Sequence, residues 1–177
     1  MKKLFCILAL GLIGLSLPQK SEAIIHVGAS LALSGDFDLK ENEGFDGQKT
    51  SGYGFSVVVP FGLMLRYDMM EVTMETAGDD IKADIGIPSL GYRLGFPLTG
   101  IHIAGAYGIG AASYNKSYKD SDLTQIFLEL GYNIIPLFDI YFGYHSITGE
   151  KIEGKSGGEL KSSLTGTVYS LGVNFGF

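Results

Sequence analysis

The last nine residues, YSLGVNFGF from Tyr169 to Phe177, decide the reading of the fold. In an extended strand successive side chains point to opposite faces. Tyr169, Leu171, Val173, Phe175 and Phe177 therefore share one face, and Ser170, Gly172, Asn174 and Gly176 the other. One face is bulky and apolar, the other small or polar. Chain ends fray unless something ties them down, so a strand this regular at a terminus is expected to be paired.

The same two-faced alternation runs back through the chain. Ile25, Val27, Ala29, Leu31 and Leu33 oppose His26, Gly28, Ser30, Ala32 and Ser34. Leu63, Leu65, Tyr67 and Met69 oppose Met64, Arg66, Asp68 and Met70, and Ile126, Leu128, Leu130 and Tyr132 oppose Gln125, Glu129 and Gly131. Pro60, Pro97 and Pro136 fall between such runs. Proline presets turn geometry and cannot serve a central ladder, so each marks a short turn. Longer polar stretches at 36–50, 76–80, 115–122 and 150–163 separate the remaining runs. Four long loops alternating with three short turns give eight strands, placed near 24–35, 51–59, 61–74, 81–95, 100–114, 123–135, 137–149 and 164–177.

On a soluble β-protein the polar face meets water, where long charged side chains are welcome and glycine weakens a strand. Here the polar face is also the small face. A closed barrel of eight strands has a lumen just wide enough for side chains to fill, which favours glycine, alanine and serine inside. The bulky face then points outward into lipid, which strands cross only as a closed barrel because hydrocarbon offers backbone groups no water. Composition agrees: 18% of residues are charged and 46% hydrophobic, with 26 glycines, against about a quarter charged in soluble domains. The fold class expected is an all-β, membrane-spanning, eight-stranded antiparallel up-and-down barrel. Strand four departs from the rule, since Ile81, Ala83, Ile85 and Ile87 alternate in one frame and Leu90, Tyr92, Leu94 and Phe96 in the other. A bulge at Pro88–Ser89 is expected to restore the frame. Aromatic girdles are expected at both edges of the apolar slab: Phe61, Phe96, Phe138 and Phe177 beside the short turns or the C-terminus, and Tyr53, Tyr114 and Tyr169 toward the long loops.

Residues 1–23 stand apart from this pattern. Lys2 and Lys3 precede an apolar run from Leu4 to Leu17, followed by Pro18 and then Ser21-Glu22-Ala23, with small residues where a cleavage site requires them. Fourteen apolar residues are too few for a spanning helix, which needs about 20, so 1–23 reads as a cleaved secretory signal peptide and 24–177 as one barrel domain. Cys6 is then removed, leaving no cysteine for a thiol nucleophile, a cysteine zinc site or a disulfide. Loss of Lys2, Lys3, Lys20 and Glu22 leaves 10 basic against 18 acidic residues, a net charge of −8 that opposes nucleic-acid binding.

Across its mature length the chain resembles the small eight-stranded outer-membrane barrels of Gram-negative bacteria, the OmpA and OmpX type. Its ending is similar to the C-terminal assembly signal of that class, carried here by Ser170, Gly172, Phe175 and Phe177. The resemblance implies handling by the barrel assembly machinery, closure of the last strand on the first, short turns and termini in the periplasm, and four long loops at the cell surface. Implied partners are outer-membrane lipid, lipopolysaccharide and a possible extracellular ligand of the loops.

Seven charged residues occupy positions assigned to the lumen: Arg66, Asp68, Lys82, Asp84, Arg93, Glu129 and Asp139. Facing lipid at mid-depth, an Arg or Lys costs roughly 2–4 kcal/mol, so their frame supports the inward assignment. Arg66, Asp84, Arg93 and Glu129 are expected to form a plug of ion pairs; the alternative is a small conducting pore. The sharpest catalytic candidate is YHSITGE at 144–150, because outer-membrane lipid A deacylases, which this stretch resembles, carry a His-x-Ser pair followed by Glu. His145, Ser146 and the later Glu159 would be the counterparts. Ile147 stands at the nucleophile position of that pattern, and the neighbours His145 and Ser146 face opposite ways on a strand. In the first long loop Asp36, Asp38, Glu41, Glu43 and Asp46 lack the spacing of a calcium loop, and His26, His102 and His145 lack that of a zinc site. The expectation is therefore a non-enzymatic barrel without metal or cofactor, acting structurally or through its surface loops.

Overall fold

Strands whose small faces all point one way can bury those faces together by curling the sheet shut. The computed structural model describes residues 25–38, 45–76, 80–96, 99–114, 118–135, 137–153 and 159–177; the expected signal peptide, Pro97 and Pro136 lie outside the described residues. Eight strands form a closed antiparallel barrel: β1 (His26–Phe37), β2 (Phe45–Val58), β3 (Leu63–Thr76), β4 (Ile81–Gly95), β5 (Ile101–Tyr114), β6 (Ser121–Ile135), β7 (Phe138–Gly149) and β10 (Gly166–Gly176). Each neighbours the next around the ring, and β10 lies between β7 and β1. A separate hairpin, β8 (Lys151–Glu153) with β9 (Glu159–Ser163), occupies the last long connection, where the sequence pattern suggests only a loop.

The C-terminal strand closes the ring. It pairs with β1 from His26↔Gly176 to Phe37↔Gly166 and with β7 from Phe175↔Phe138 to Gly166↔Ile147. The final residue is bonded in both directions: Phe177 N–H donates to Ile25 O at 2.8 Å and Ile25 N–H to Phe177 O at 3.3 Å. At the short turn after β2, Pro60–Gly62 form one 3-10 turn in which Gly62 takes φ +85°, a left-handed conformation that glycine adopts without steric cost.

In the half of the barrel nearer the short turns the expected frames are observed, except at the end of β6, where a register shift between Asn133 and Ile135 leaves Asn133 exposed. Leu65, Leu128, Leu171 and Phe175 are each more than half exposed on the outside, while Ser30, Ser56, Arg66, Asp68, Glu129 and Asn174 are buried inside. Toward the long loops the wall inverts. There Met70, Val72, Met74, Ile81, Ala83, Ile85 and Ile87 join Phe37, Leu123, Ile147 and Val168 in a buried apolar core. Their neighbours Glu71, Lys82, Asp84, Ser113 and Asp122 face outward. Ile152 of β8 and Leu164 are fully buried over this core, and the hairpin is tied to the segment before β6 by Lys119 N–H donating to Glu153 O at 2.8 Å.

This inversion corrects three expectations. β4 has no bulge at Pro88–Ser89: its register against β3 is continuous from Met74↔Ile81 to Leu63↔Tyr92. Ile81 to Ile87 point inward in the same frame as Ser89, because the core they join is apolar. A register shift lies instead in β1, between Ala32 and Ser34, and turns Ser34 outward and Phe37 inward. Tyr114, expected in a girdle, is buried and bonded to Ser121 through their hydroxyls at 3.0 Å. Finally β2 reaches back to Phe45, so residues 45–50 of the expected first loop are wall, paired to β3 up to Phe45↔Thr76.

Candidate functional site

Inward side chains at successive levels of a barrel stack into layers, and the polar ones here form two connected networks. The first centres on Arg66 of β3. Its Nε donates to both oxygens of Asp68 at 2.9 Å, its Nη2 to Asp68 Oδ1 and Ser30 Oγ at 2.7 Å each, and its Nη1 to Tyr141 Oη at 3.2 Å. The guanidinium also lies over the Phe127 ring, 4.0 Å from its centroid. Asp68 Oδ2 accepts from Gln125 Nε2 at 2.8 Å. With that amide nitrogen engaged, Gln125 Oε1 is left to accept from His145 Nδ1–H at 3.2 Å, and His145 Nε2 in turn accepts from Ser170 Oγ–H at 2.9 Å. Every member is almost wholly buried.

The second network lies nearer the short turns. Arg93 Nη2 donates to Asp139 Oδ2 at 2.6 Å and to His102 Nδ1 at 2.9 Å. His102 Nε2–H then donates to Glu129 Oε1 at 3.0 Å. Asn174 Nδ2 donates to Asp139 Oδ1 at 2.6 Å, and Ser56 Oγ to Asn174 Oδ1 at 3.4 Å. Close approach in both networks depends on absent side chains: a Cβ at Gly131 would overlap the His102 ring of the second, and one at Gly54 would overlap Arg66 and Asp68 of the first.

Of the four residues expected to form the plug, Arg66, Arg93 and Glu129 lie in these networks. Asp84 does not. It is exposed on the outer face of β4, as is Lys82, because β4 at that level sends its apolar frame inward. Asp68 and Asp139 hold the two arginines instead. His102, Gln125, Tyr141 and Asn174 are members that the sequence reading does not anticipate; each sits in the inward frame of its strand, which is the available signal, but only cross-barrel register tells which partner it meets.

His145 is buried with Ser170 as its hydroxyl partner, while Ser146 lies in the opposite frame, paired to Thr167 and Ile126. Glu159 begins β9, and its side chain lies outside the described residues. Within the expected assembly signal, Ser170 is buried on His145, a Cβ at Gly172 would overlap the Tyr141 ring, and Phe175 and Phe177 are exposed on the outside. Among the described residues no group of three or more His, Cys, Asp or Glu is arranged to hold a metal ion.

The outer surface is banded. Phe61, Phe96 and Phe177 mark the short-turn edge, and Tyr53, Tyr67, Tyr107 and Tyr169 the other. Tyr169 stacks on Phe142 of the neighbouring strand at 5.7 Å. Beyond the tyrosines the outer face carries ion pairs, Lys49 with Glu75 at 2.5 Å and Lys82 with Glu71 at 3.6 Å. The hydrogen bond and charge of Glu75 hold the Lys49 ammonium above the usual lysine range.

The barrel of Neisserial surface protein A superposes on this chain with a TM-score of 0.51 at 14% identity, over 86% of this chain and 97% of that one. The fold is that of the small outer-membrane β-barrels. The outer-membrane protein Ail of Yersinia pestis and a major outer-membrane protein of Thermus thermophilus also align over 86% of the chain and 99% of their own, at 11% and 12% identity with TM-scores of 0.49 and 0.47. No protein-family model and no curated protein matches the sequence. A closed barrel with an apolar band outside and charged residues inside is a transmembrane wall, and lipid rather than water bathes Leu65, Leu128 and Phe175.

Proposed function

We propose that this outer-membrane barrel is a non-enzymatic, non-conducting scaffold that presents its long-loop end at the cell surface for structural or adhesive interaction. One observation carries the reading. The lumen is filled along its length, first by the network of Arg93, His102, Glu129 and Asp139, then by that of Arg66, Asp68, Gln125 and His145, then by the apolar core roofed by Ile152 and Leu164. Ions would have to displace paired charges and then cross a dry apolar layer. The hydroxyl nearest His145 belongs to Ser170, which is 2% exposed, so the Ser-His pair serves as lumen packing. Expected partners are outer-membrane lipid and lipopolysaccharide around the wall, the barrel assembly machinery acting on Ser170, Gly172, Phe175 and Phe177 before closure, and an extracellular ligand at the loops. Residues 1–23 serve as the export signal.

Planar-bilayer recording of the purified barrel, together with a lipid A deacylation assay on the same preparation, tests this reading. Silence in both is expected. A stable conductance would replace the scaffold with a pore, and ester cleavage lost in His145→Gln would replace it with an enzyme.

A further inference from the structure

We infer that the long-loop half of the β1–β2 junction is a lateral gate in the barrel wall, latched by the Gln48 side chain. Every other neighbouring pair of wall strands is laddered over ten or more residue pairs. β1 and β2 share six, from His26↔Val58 to Leu31↔Tyr53. Both strands run on past that point, β1 against β10 as far as Phe37 and β2 against β3 as far as Phe45, but not against each other. The ladder ends where β1 shifts register, between Ala32 and Ser34.

Beyond the gap a side chain replaces the backbone. Phe37 N–H donates to Gln48 Oε1 at 3.1 Å, and Gln48 Nε2 donates to Phe37 O at 3.3 Å and to Asp36 Oδ1 at 2.9 Å. The amide copies the donor and acceptor that a neighbouring peptide group would present, but at the end of a flexible arm. Thr50, across from Gly35, has a buried hydroxyl with no partner among the described residues.

The position of the gap explains why it is tolerated. It starts where the outer face changes from Tyr53 to Ser51 and Lys49 on β2, and from Leu33 to Ser34 and Asp36 on β1. Hydrocarbon tolerates no unpaired backbone, so the ladder continues to its surface and stops where headgroup water can satisfy the freed groups. Directly behind lies a cavity of about 10 Å³, lined by Ala32, Gly52 and Tyr53 from the seam and by Arg66, His145 and Ser170 from the polar layer. That is about the room one water needs. An open seam joins the headgroup level to the buried Arg66 network, and it admits water or a small polar molecule rather than a lipid.

The 24–177 polypeptide holds no cysteine, so single cysteines report access cleanly. Ser170→Cys lines the cavity, whereas Ser89→Cys is buried in the same network away from it. In the folded barrel a small methanethiosulfonate reagent should modify Ser170→Cys several-fold faster than Ser89→Cys, and adding Gln48→Ala should accelerate the first without the second. Met70→Cys, which lines the same cavity, serves if Ser170→Cys does not fold. Equal rates at both sites, or indifference to Gln48→Ala, would overturn the gate.

Discussion

Arg66 shows how a single residue commits the lumen. Its guanidinium is almost wholly buried, with Asp68, Ser30 and Tyr141 as partners. Removing one member of a buried pair leaves an uncompensated charge, at a cost of about 3–5 kcal/mol. Arg66→Met should therefore lower the unfolding free energy by about that amount, measured by urea titration in lipid vesicles. Replacing Asp68 by Leu in the same chain should recover part of the loss. Gly131 commits the other network by having no side chain. Gly131→Val would drive a side chain into the ring of His102, breaking its bonds to Arg93 and Glu129, and thermal unfolding in detergent should fall by several degrees. At this scale the sequence is only half legible. Alternation announces that Arg66, Arg93 and Glu129 face inward, and that Gly131 is small because its neighbourhood is full. Which carboxylate meets which arginine depends on strand stagger around the barrel, which no local pattern carries; hence Asp84 is expected where Asp68 and Asp139 stand.

β3 contains the change of environment within one element. Leu63, Leu65, Tyr67 and Met69 face outward, followed by Glu71, Thr73 and Glu75, while Met70, Val72 and Met74 continue inward as core. The wall is built for lipid below Met69 and for water above Glu71. Leu65→Lys should thus cost about 2–4 kcal/mol, as a cation at mid-depth does, and Thr73→Lys about 0–1 kcal/mol, both read from vesicle-embedded unfolding. The same switch explains why β4 departs from its expected frame. A rule that places polar residues inside holds only where lipid is outside, and Ile81 to Ile87 lie where it no longer applies. A single strand shows two frames in its sequence either because its backbone slips or because its surroundings change, and periodicity cannot separate the two. Here the continuous β3–β4 register decides for the second.

For the whole molecule, closure is legible because it follows from arithmetic on loops and turns and from a terminal strand with no other use. The observed bonding of Phe177 to Ile25 is the physical content of that expectation. A closed barrel also resists detergent, so the folded chain should migrate differently on SDS gels before and after boiling, and equal migration would be inconsistent with it. The most direct test of the account is a spin-label scan along the outer face of β3, at positions 63, 65, 67, 69, 71, 73 and 75, in lipid bilayers. Collisions with oxygen should dominate from 63 to 69 and collisions with a water-soluble nickel chelate from 71 to 75. If the chelate reached Leu65 as readily as Thr73, water rather than hydrocarbon would surround the bulky face, and the account would be contradicted.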